Sequence, residues 1–352
     1  MNSSNQTGQR SVTREKDSAY SWPVIGHDGA VASLTHAISM GYLRHAYLIT
    51  GSSGIGKRTL AMAFVQAVLC SETNVPCGKC RTCRLVGDGR HPDVIVLNPL
   101  VKGKVIKTGK ITIDPIRELI RRFSLSPLEA ARRIAVISGF EAATEAAANA
   151  LLKTLEEPPG DSILVLTATR SEQLLPTIVS RCEELGLRPL SRLAIQRALT
   201  DRWDVPVEKA RLFARLSAGR LGWAVNMLTD VEALDRRVKF MQDMITLLKS
   251  SRVERFAYAD RLRKDREAVL EALGLWQGWW RDVLLVTSHV AGKMINIDFE
   301  DEIRTVAGSL DPVQASKCVM AIHNVVEQLE KNANPRLALE VLMLELPWLN
   351  SH

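Results

Sequence analysis

No run of eighteen apolar residues occurs in the sequence, so no segment reads as a membrane-spanning helix. The first nineteen residues are polar and lack the apolar stretch that a secretion signal needs, so the chain is expected in the cytoplasm, with no membrane partner. Internal repeats are missing, and outside the N-terminal tail there is no low-complexity tract. Aromatic side chains are sparse at 5%, yet 46% hydrophobic and 24% charged residues are ordinary for a globular protein. Cysteines number six in 352 residues. In a large chain without an export signal they do not suggest a disulfide framework; clustered cysteines in that setting bind metal. Acidic residues are the last deficit: 39 Asp and Glu face 46 Lys and Arg, a formal net charge of +7. The excess is local, because Cys77 to Arg133 holds thirteen basic and five acidic residues and leaves the rest near neutral. Such basicity suits a polyanionic partner without naming one.

At roughly 100 to 200 residues per domain, a chain of 352 residues predicts two or three domains. Residues 1–20 are rich in Ser, Asn, Gln, Thr and charge, without apolar periodicity, and read as a disordered tail. Over residues 21–188 the apolar runs His45 to Thr50, Arg133 to Ile137 and Ser162 to Thr167 alternate with helical stretches such as Arg58 to Cys70 and Pro115 to Phe123. That alternation predicts an α/β domain built on a mostly parallel sheet. Beyond Pro189 the strand signal fades. Residues 189–229 read as a small helical domain and residues 230–352 as a larger, all-helical one.

Directly after the His45 to Thr50 strand comes Gly51-Ser52-Ser53-Gly54-Ile55-Gly56-Lys57-Arg58-Thr59, followed by a helical run. Strand, glycine-rich loop and helix in this order form a P-loop. Gly51, Gly54 and Gly56 let backbone N–H groups approach phosphates, the helix N-terminus adds its dipole, and Lys57 reaches the β and γ phosphates. The residue after the lysine should be Ser or Thr to hold Mg²⁺, and here it is Arg58. Thr59 comes one residue late, about 100° further round the helix. On the motif alone, ATP binding and a tight turn that merely organises the fold stand as equal readings. Hydrolysis also needs acidic residues at the end of a later strand. The strand Ile134 to Ile137 is followed instead by Ser138-Gly139-Phe140-Glu141, with Glu141 read as a solvated loop residue.

Four of the six cysteines, Cys70, Cys77, Cys80 and Cys83, fall within fourteen residues in a C-x6-C-x2-C-x2-C spacing. Zn²⁺ takes four thiolates tetrahedrally, and Gly78 relaxes the knuckle between Cys77 and Cys80. Four protein ligands leave no open position, so the site reads as structural Zn²⁺. His91 is a further candidate ligand, with a hydrogen-bonded or surface histidine the plainer alternative. Cys182 and Cys318 read as small core residues.

These segments, joined by Ile25-Gly26-His27, Arg44-His45-Ala46-Tyr47, His91-Pro92-Asp93, the string NALLKTLEEPP from Asn149 to Pro159, Thr167-Ala168-Thr169 and Ser180-Arg181-Cys182, resemble the clamp-loader branch of the AAA+ proteins. The resemblance covers about residues 24–228, and more loosely Asn334 to Glu340, which looks like a last collar helix. It implies a RecA-like AAA+ α/β nucleotide fold with a zinc module inserted at residues 70–83, then a helical lid and an all-α collar domain. It also implies partners: ATPase motor subunits and a clamp-opening subunit in a five-membered ring that places the sliding clamp on primed DNA, with DNA contacted through the assembly. In motor subunits of the family an acidic pair falls on Ser138 and Gly139 here, and a γ-phosphate-sensing lid arginine falls on Gly222. Arg181 remains, as an arginine finger acting in trans, and Thr169 stands at the sensor position. Read without the resemblance, Arg181 is a surface ion pair with Glu183 or Glu184.

The expectation is a non-hydrolytic, stator-like subunit, accessory to a DNA-directed DNA polymerase. An active motor of the same family, with Glu141 as base and Thr59 as metal ligand, is the alternative. A stand-alone DNA-binding zinc protein is a third reading, disfavoured because nothing resembles a recognition helix. Trp276, Trp279 and Trp280 share one helical face and read as core. Lys102 to Lys110, Arg121, Arg122, Arg132 and Arg133 read as solvated charge.

Overall fold

The computed structural model describes residues 22–98, 110–331 and 333–349. The N-terminal tail and most of the Lys102 to Lys110 stretch lie outside the described residues. Two compact units emerge: one comprises the chain up to Ser52 and Gly56–Arg188, the other Ser53–Ile55 and the chain from Pro189 on.

In the first unit, β1 (Ala46–Thr50), β2 (Val94–Leu97), β3 (Arg133–Ile137), β4 (Ser162–Ala168) and β5 (Glu183–Gly186) form one sheet in the order β2-β3-β4-β1-β5. Every pairing is parallel. The inner strands β1, β3 and β4 are buried at each position, as a parallel sheet covered on both faces requires. Among the described residues six α-helices accompany them: α1 (Asp28–Ser39), α2 (Lys57–Leu69), α3 (Arg81–Gly87), α4 (Ile113–Phe123), α5 (Glu145–Glu156) and α6 (Pro176–Val179). The Thr144 side chain caps α5 by accepting the Ala147 N–H at 3.3 Å. Leu151 and Leu155 of α5 join Ile116, Leu119 and Phe123 of α4 in the core. The helix stops just before Pro158-Pro159, where the backbone cannot continue it.

Arg133 corrects the sequence reading. Its side chain is 6% exposed and pairs at 3.4 Å with Asp93, which is fully buried. The guanidinium also donates to the carbonyls of Arg122 and Ser126 at 2.9 and 2.6 Å. Asp93 accepts the backbone N–H groups of Leu128, Glu129 and Ala130 at 2.7, 2.8 and 2.9 Å. The loop before β3 thus folds over the strand's first residue and supplies the partners that a buried charge needs. His91 is buried in the same turn, its Nδ1 accepting the Asp93 N–H at 3.2 Å.

The second unit is helical among the described residues: α7 (Arg192–Trp203), α8 (Val207–Leu216), α9 (Leu221–Thr229), α10 (Val231–Leu247), α11 (Arg252–Leu262), α12 (Arg266–Thr287), α13 (Glu300–Ala307), α14 (Pro312–Glu330) and α15 (Pro335–Glu345). Trp276, Trp279 and Trp280 of α12 are fully buried in its core, as their spacing predicts, and the Trp276 Nε1–H donates to the Phe240 carbonyl at 2.8 Å. Buried Arg255 on α11 donates to the carbonyls of Leu247, Leu248, Met343, Leu346 and Pro347. These lie at the C-terminal ends of α10 and α15, where helix carbonyls lack partners of their own. On α15 the residues Leu337, Val341 and Leu344, and Trp348 just beyond it, are all exposed. No helix among the described residues is long and apolar enough to cross a membrane.

Candidate functional site

The phosphate loop leaves the C-terminal end of β1, which lies between β4 and β5, and the carboxyl ends of the strands are where open α/β sheets bind ligands. Gly51, Gly54 and Gly56 adopt φ values of 144°, 76° and 114°, which glycine reaches without the strain a Cβ would bring. Lys57 opens α2, and no side chain caps that helix start, so its first N–H groups are free to face an anion. The Lys57 ammonium donates to the carbonyls of Gly51 and Ser52. Burial lowers its pKa, and the nearby Glu141 charge works against that shift. Arg58 and Thr59 are both exposed on the first turn of α2. Within the second unit, to which the loop tip Ser53–Ile55 belongs, the Trp223 N–H donates to the Gly54 carbonyl at 3.3 Å. A Cβ on Gly222 would stand 2.8 Å from the same oxygen, so this backbone arrangement admits no side chain at 222.

Around the loop base, the Gly51 N–H donates to the Thr169 carbonyl at 3.2 Å, and the Thr169 hydroxyl donates to Glu141 at 2.6 Å. Glu141 is therefore not the solvated residue its sequence context suggests. It is partly buried, because the short turn Phe140–Ala142 brings it back beside the strand ends, and its second carboxylate oxygen is buried without a hydrogen-bond partner. Ser138 is buried with its hydroxyl unpartnered, and Gly139, at φ 63°, donates its N–H to Thr167 Oγ1 at 3.0 Å. The fold thus brings Lys57, Thr169 and Glu141 together and leaves no carboxylate at positions 138 and 139.

Arg181 lies elsewhere. Its Nη1 donates to the Thr177 carbonyl at 2.8 Å and to Ser180 Oγ at 3.4 Å, and its Nη2 to Glu156 at 2.7 Å. Neither neighbour in sequence is the partner: Glu183 faces Arg44 at 3.8 Å, and Glu184 accepts the Thr50 hydroxyl at 3.0 Å. Glu156 is not legible as a partner from the sequence, because the end of α5 and the turn after α6 meet only in the fold. Arg181 and Glu156 line a cleft of about 750 Å³ with Arg44, His45 and Glu183. Arg44 and His45 precede β1 and Glu183 opens β5, so the cleft lies at the N-terminal ends of the strands. At about 3.3 Å per residue, the five residues of β1 separate that end from the phosphate loop by about 17 Å.

The four clustered cysteine sulfurs lie within 4.8 Å of one another. Cys70 and Cys80 are 4.0 Å apart, and Cys77 and Cys83 3.8 Å, close to the ~3.8 Å that tetrahedral thiolates at about 2.3 Å from one ion would show. Cys80 precedes α3, which places Cys83 one turn on and lets its N–H donate to the Cys80 sulfur. The N–H groups of Cys80 and Lys79 hold the Cys77 thiol down to about 6, while burial raises those of Cys70 and Cys83. The set can hold one metal ion, and His91 is not part of it. Burial pushes Cys182 and Cys318 up to about 12, as suits inert packed thiols.

The family described as DNA polymerase III, delta subunit, matches residues 26–191. The DNA polymerase III subunit delta' of Pseudomonas aeruginosa is 38% identical over 182 residues, 50% of this chain and 53% of that one. The DNA polymerase III subunit tau of Bacillus subtilis is 27% identical over 354 residues, 92% of this chain and 60% of that one. Delta' of Bacillus subtilis is 30% identical over 321 residues, 89% of this chain and 94% of that one. With identity sustained over nearly the whole of both chains, this chain belongs to the delta' family of DNA polymerase III clamp-loader subunits.

Proposed function

We propose that this chain is the stator-like, non-hydrolytic member of the clamp loader and supplies Arg181 in trans to the nucleotide of an adjacent ATPase motor subunit. One observation carries the reading: Arg181 stands at the N-terminal ends of the strands and the chain's own phosphate loop at the C-terminal end of β1. A guanidinium so placed is out of reach of its own loop, and an arginine finger needs no nucleotide in its own chain. Lack of hydrolysis is supported by Arg58 at the metal-hydroxyl position, by Ser138 and Gly139 at the acidic pair, and by the crowding at Gly222.

The glycines, the uncapped start of α2 and Lys57 fit a bound triphosphate, whereas the Mg²⁺ position does not fit; ATP binding without turnover is the reading these residues support. The sulfur spacing supports structural Zn²⁺ held by Cys70, Cys77, Cys80 and Cys83. The domain reading is an AAA+ domain over residues 21–188, a lid over 189–229 and a collar over 230–352. The exposed apolar residues of α15 support docking of that collar against other loader subunits in a five-membered ring. Through that ring this cytoplasmic chain meets the sliding clamp and primed DNA.

A motor reading draws on Glu141, whose unpartnered oxygen lies on a residue that acts electrostatically on Lys57. Titration of the isolated chain with labelled ATP separates the two. The stator reading expects no turnover above background; turnover by the isolated chain favours the motor.

A further inference from the structure

The hold on Arg181 comes from two elements that are each fixed independently. α5 is anchored by buried Leu151 and Leu155 and ends on Glu156. α6 is a single turn whose Ile178 is buried, and Thr177 and Ser180 belong to that turn and its end. An arginine has five N–H donors in one plane. Two nitrogens meet three acceptors, Thr177 O, Ser180 Oγ and Glu156 Oε1, so at least two N–H bonds, Nε–H among them, stay available to an incoming anion. The Glu156–Arg181 pair is only half shielded, with side chains 51% and 34% exposed, so it adds little to stability. Its physical effect is on geometry: an exposed arginine otherwise samples many rotamers, and ordering it beforehand removes that entropy loss from the step it assists.

We propose that Glu156 is a positioning residue for the arginine finger: its carboxylate oxygen, with the Thr177 carbonyl, fixes the Arg181 guanidinium so that the remaining N–H donors face the phosphates of the neighbouring subunit's nucleotide. This rests on the trans reading of Arg181 given above. Glu156 touches no nucleotide and acts only through Arg181. Because the contact is a hydrogen bond to one oxygen, a glutamine at 156 preserves it and an alanine does not.

The test uses the fully assembled loader carrying Glu156→Ala, Glu156→Gln, Arg181→Ala or the double alanine variant, with co-purification of all subunits as the assembly control. The readout is kcat and KM for DNA-stimulated ATP hydrolysis. The expected result is a fall in kcat of roughly 5- to 20-fold for Glu156→Ala with KM changed less than about twofold, recovery in Glu156→Gln, and no further loss when Glu156→Ala is added to Arg181→Ala. If Arg181→Ala lowers kcat and Glu156→Ala leaves it unchanged or raises it, the positioning role is overturned while the finger stands. If Arg181→Ala itself has no effect, the finger reading fails, and the positioning role with it.

Discussion

The Thr169 hydroxyl donates to Glu141 at 2.6 Å, which commits its single proton inside its own chain. A hydroxyl so engaged does not donate to a phosphate. Loaders assembled with Thr169→Ala or Glu141→Ala are therefore expected to hydrolyse ATP within about twofold of the unmodified assembly. If this chain were a motor, with Glu141 as base, steady-state ATPase would fall sharply in both.

Metal analysis of the purified chain should find zinc at about one ion per chain. Cys83→Ser, at the buried member of the four-cysteine cluster, should lose the ion and lower the melting temperature. Because protons compete with metal for thiolates, retention should weaken as pH falls. Melting that is indifferent to both zinc removal and Cys83→Ser would remove zinc from the account.

Asp93 sets a pH dependence whose sign follows from its contacts. Burial opposes its ionisation, but the N–H groups of Glu129, Leu128 and Ala130 and the Arg133 charge outweigh burial and hold its pKa below the ordinary carboxylate value. With the folded value below the unfolded one, the contribution is complete above the unfolded pKa of about 3.9 and is lost as pH falls through the folded value. Asp93→Asn leaves Arg133 buried without its counter-charge and should cost about 3–5 kcal/mol by urea unfolding at neutral pH. The difference between variant and parent should shrink in acid.

Arg255 is a structural counterpart in the second unit. Arg255→Ala leaves five buried or half-buried carbonyls without their donor, and the expected loss is about 3 kcal/mol or more. Arg255→Lys should recover only part of it, since an ammonium has three donors in a different geometry. Denaturant unfolding measures both.

Much of the fold is legible from local signals. The continuous apolar runs of β1, β3 and β4 reveal the sheet, and the triple-tryptophan face of α12 reveals a helical core. β2 and β5 escape because an edge strand of four residues carries little signal, and β5 begins with two glutamates. The cysteine spacing and the P-loop are chain-local and could be read directly. Glu156 with Arg181, Glu141 with Thr169, and Asp93 with Arg133 join residues 25, 28 and 40 positions apart, and only the folded backbone decides which acid meets which partner. Gly222 is of the same kind: its lack of a side chain could be read from the sequence, but its closeness to the Gly54 carbonyl could not.

Arg181, distant from its own phosphate loop, is expected to act on a neighbour's nucleotide. The direct measurement is DNA-stimulated ATP hydrolysis by a loader reconstituted with Arg181→Ala, checked for intact assembly. The expected result is that every subunit remains in the complex while hydrolysis at the neighbouring motor site falls by as much as about 10³-fold, the scale of a lost arginine finger. Unchanged hydrolysis in an intact assembly would contradict it.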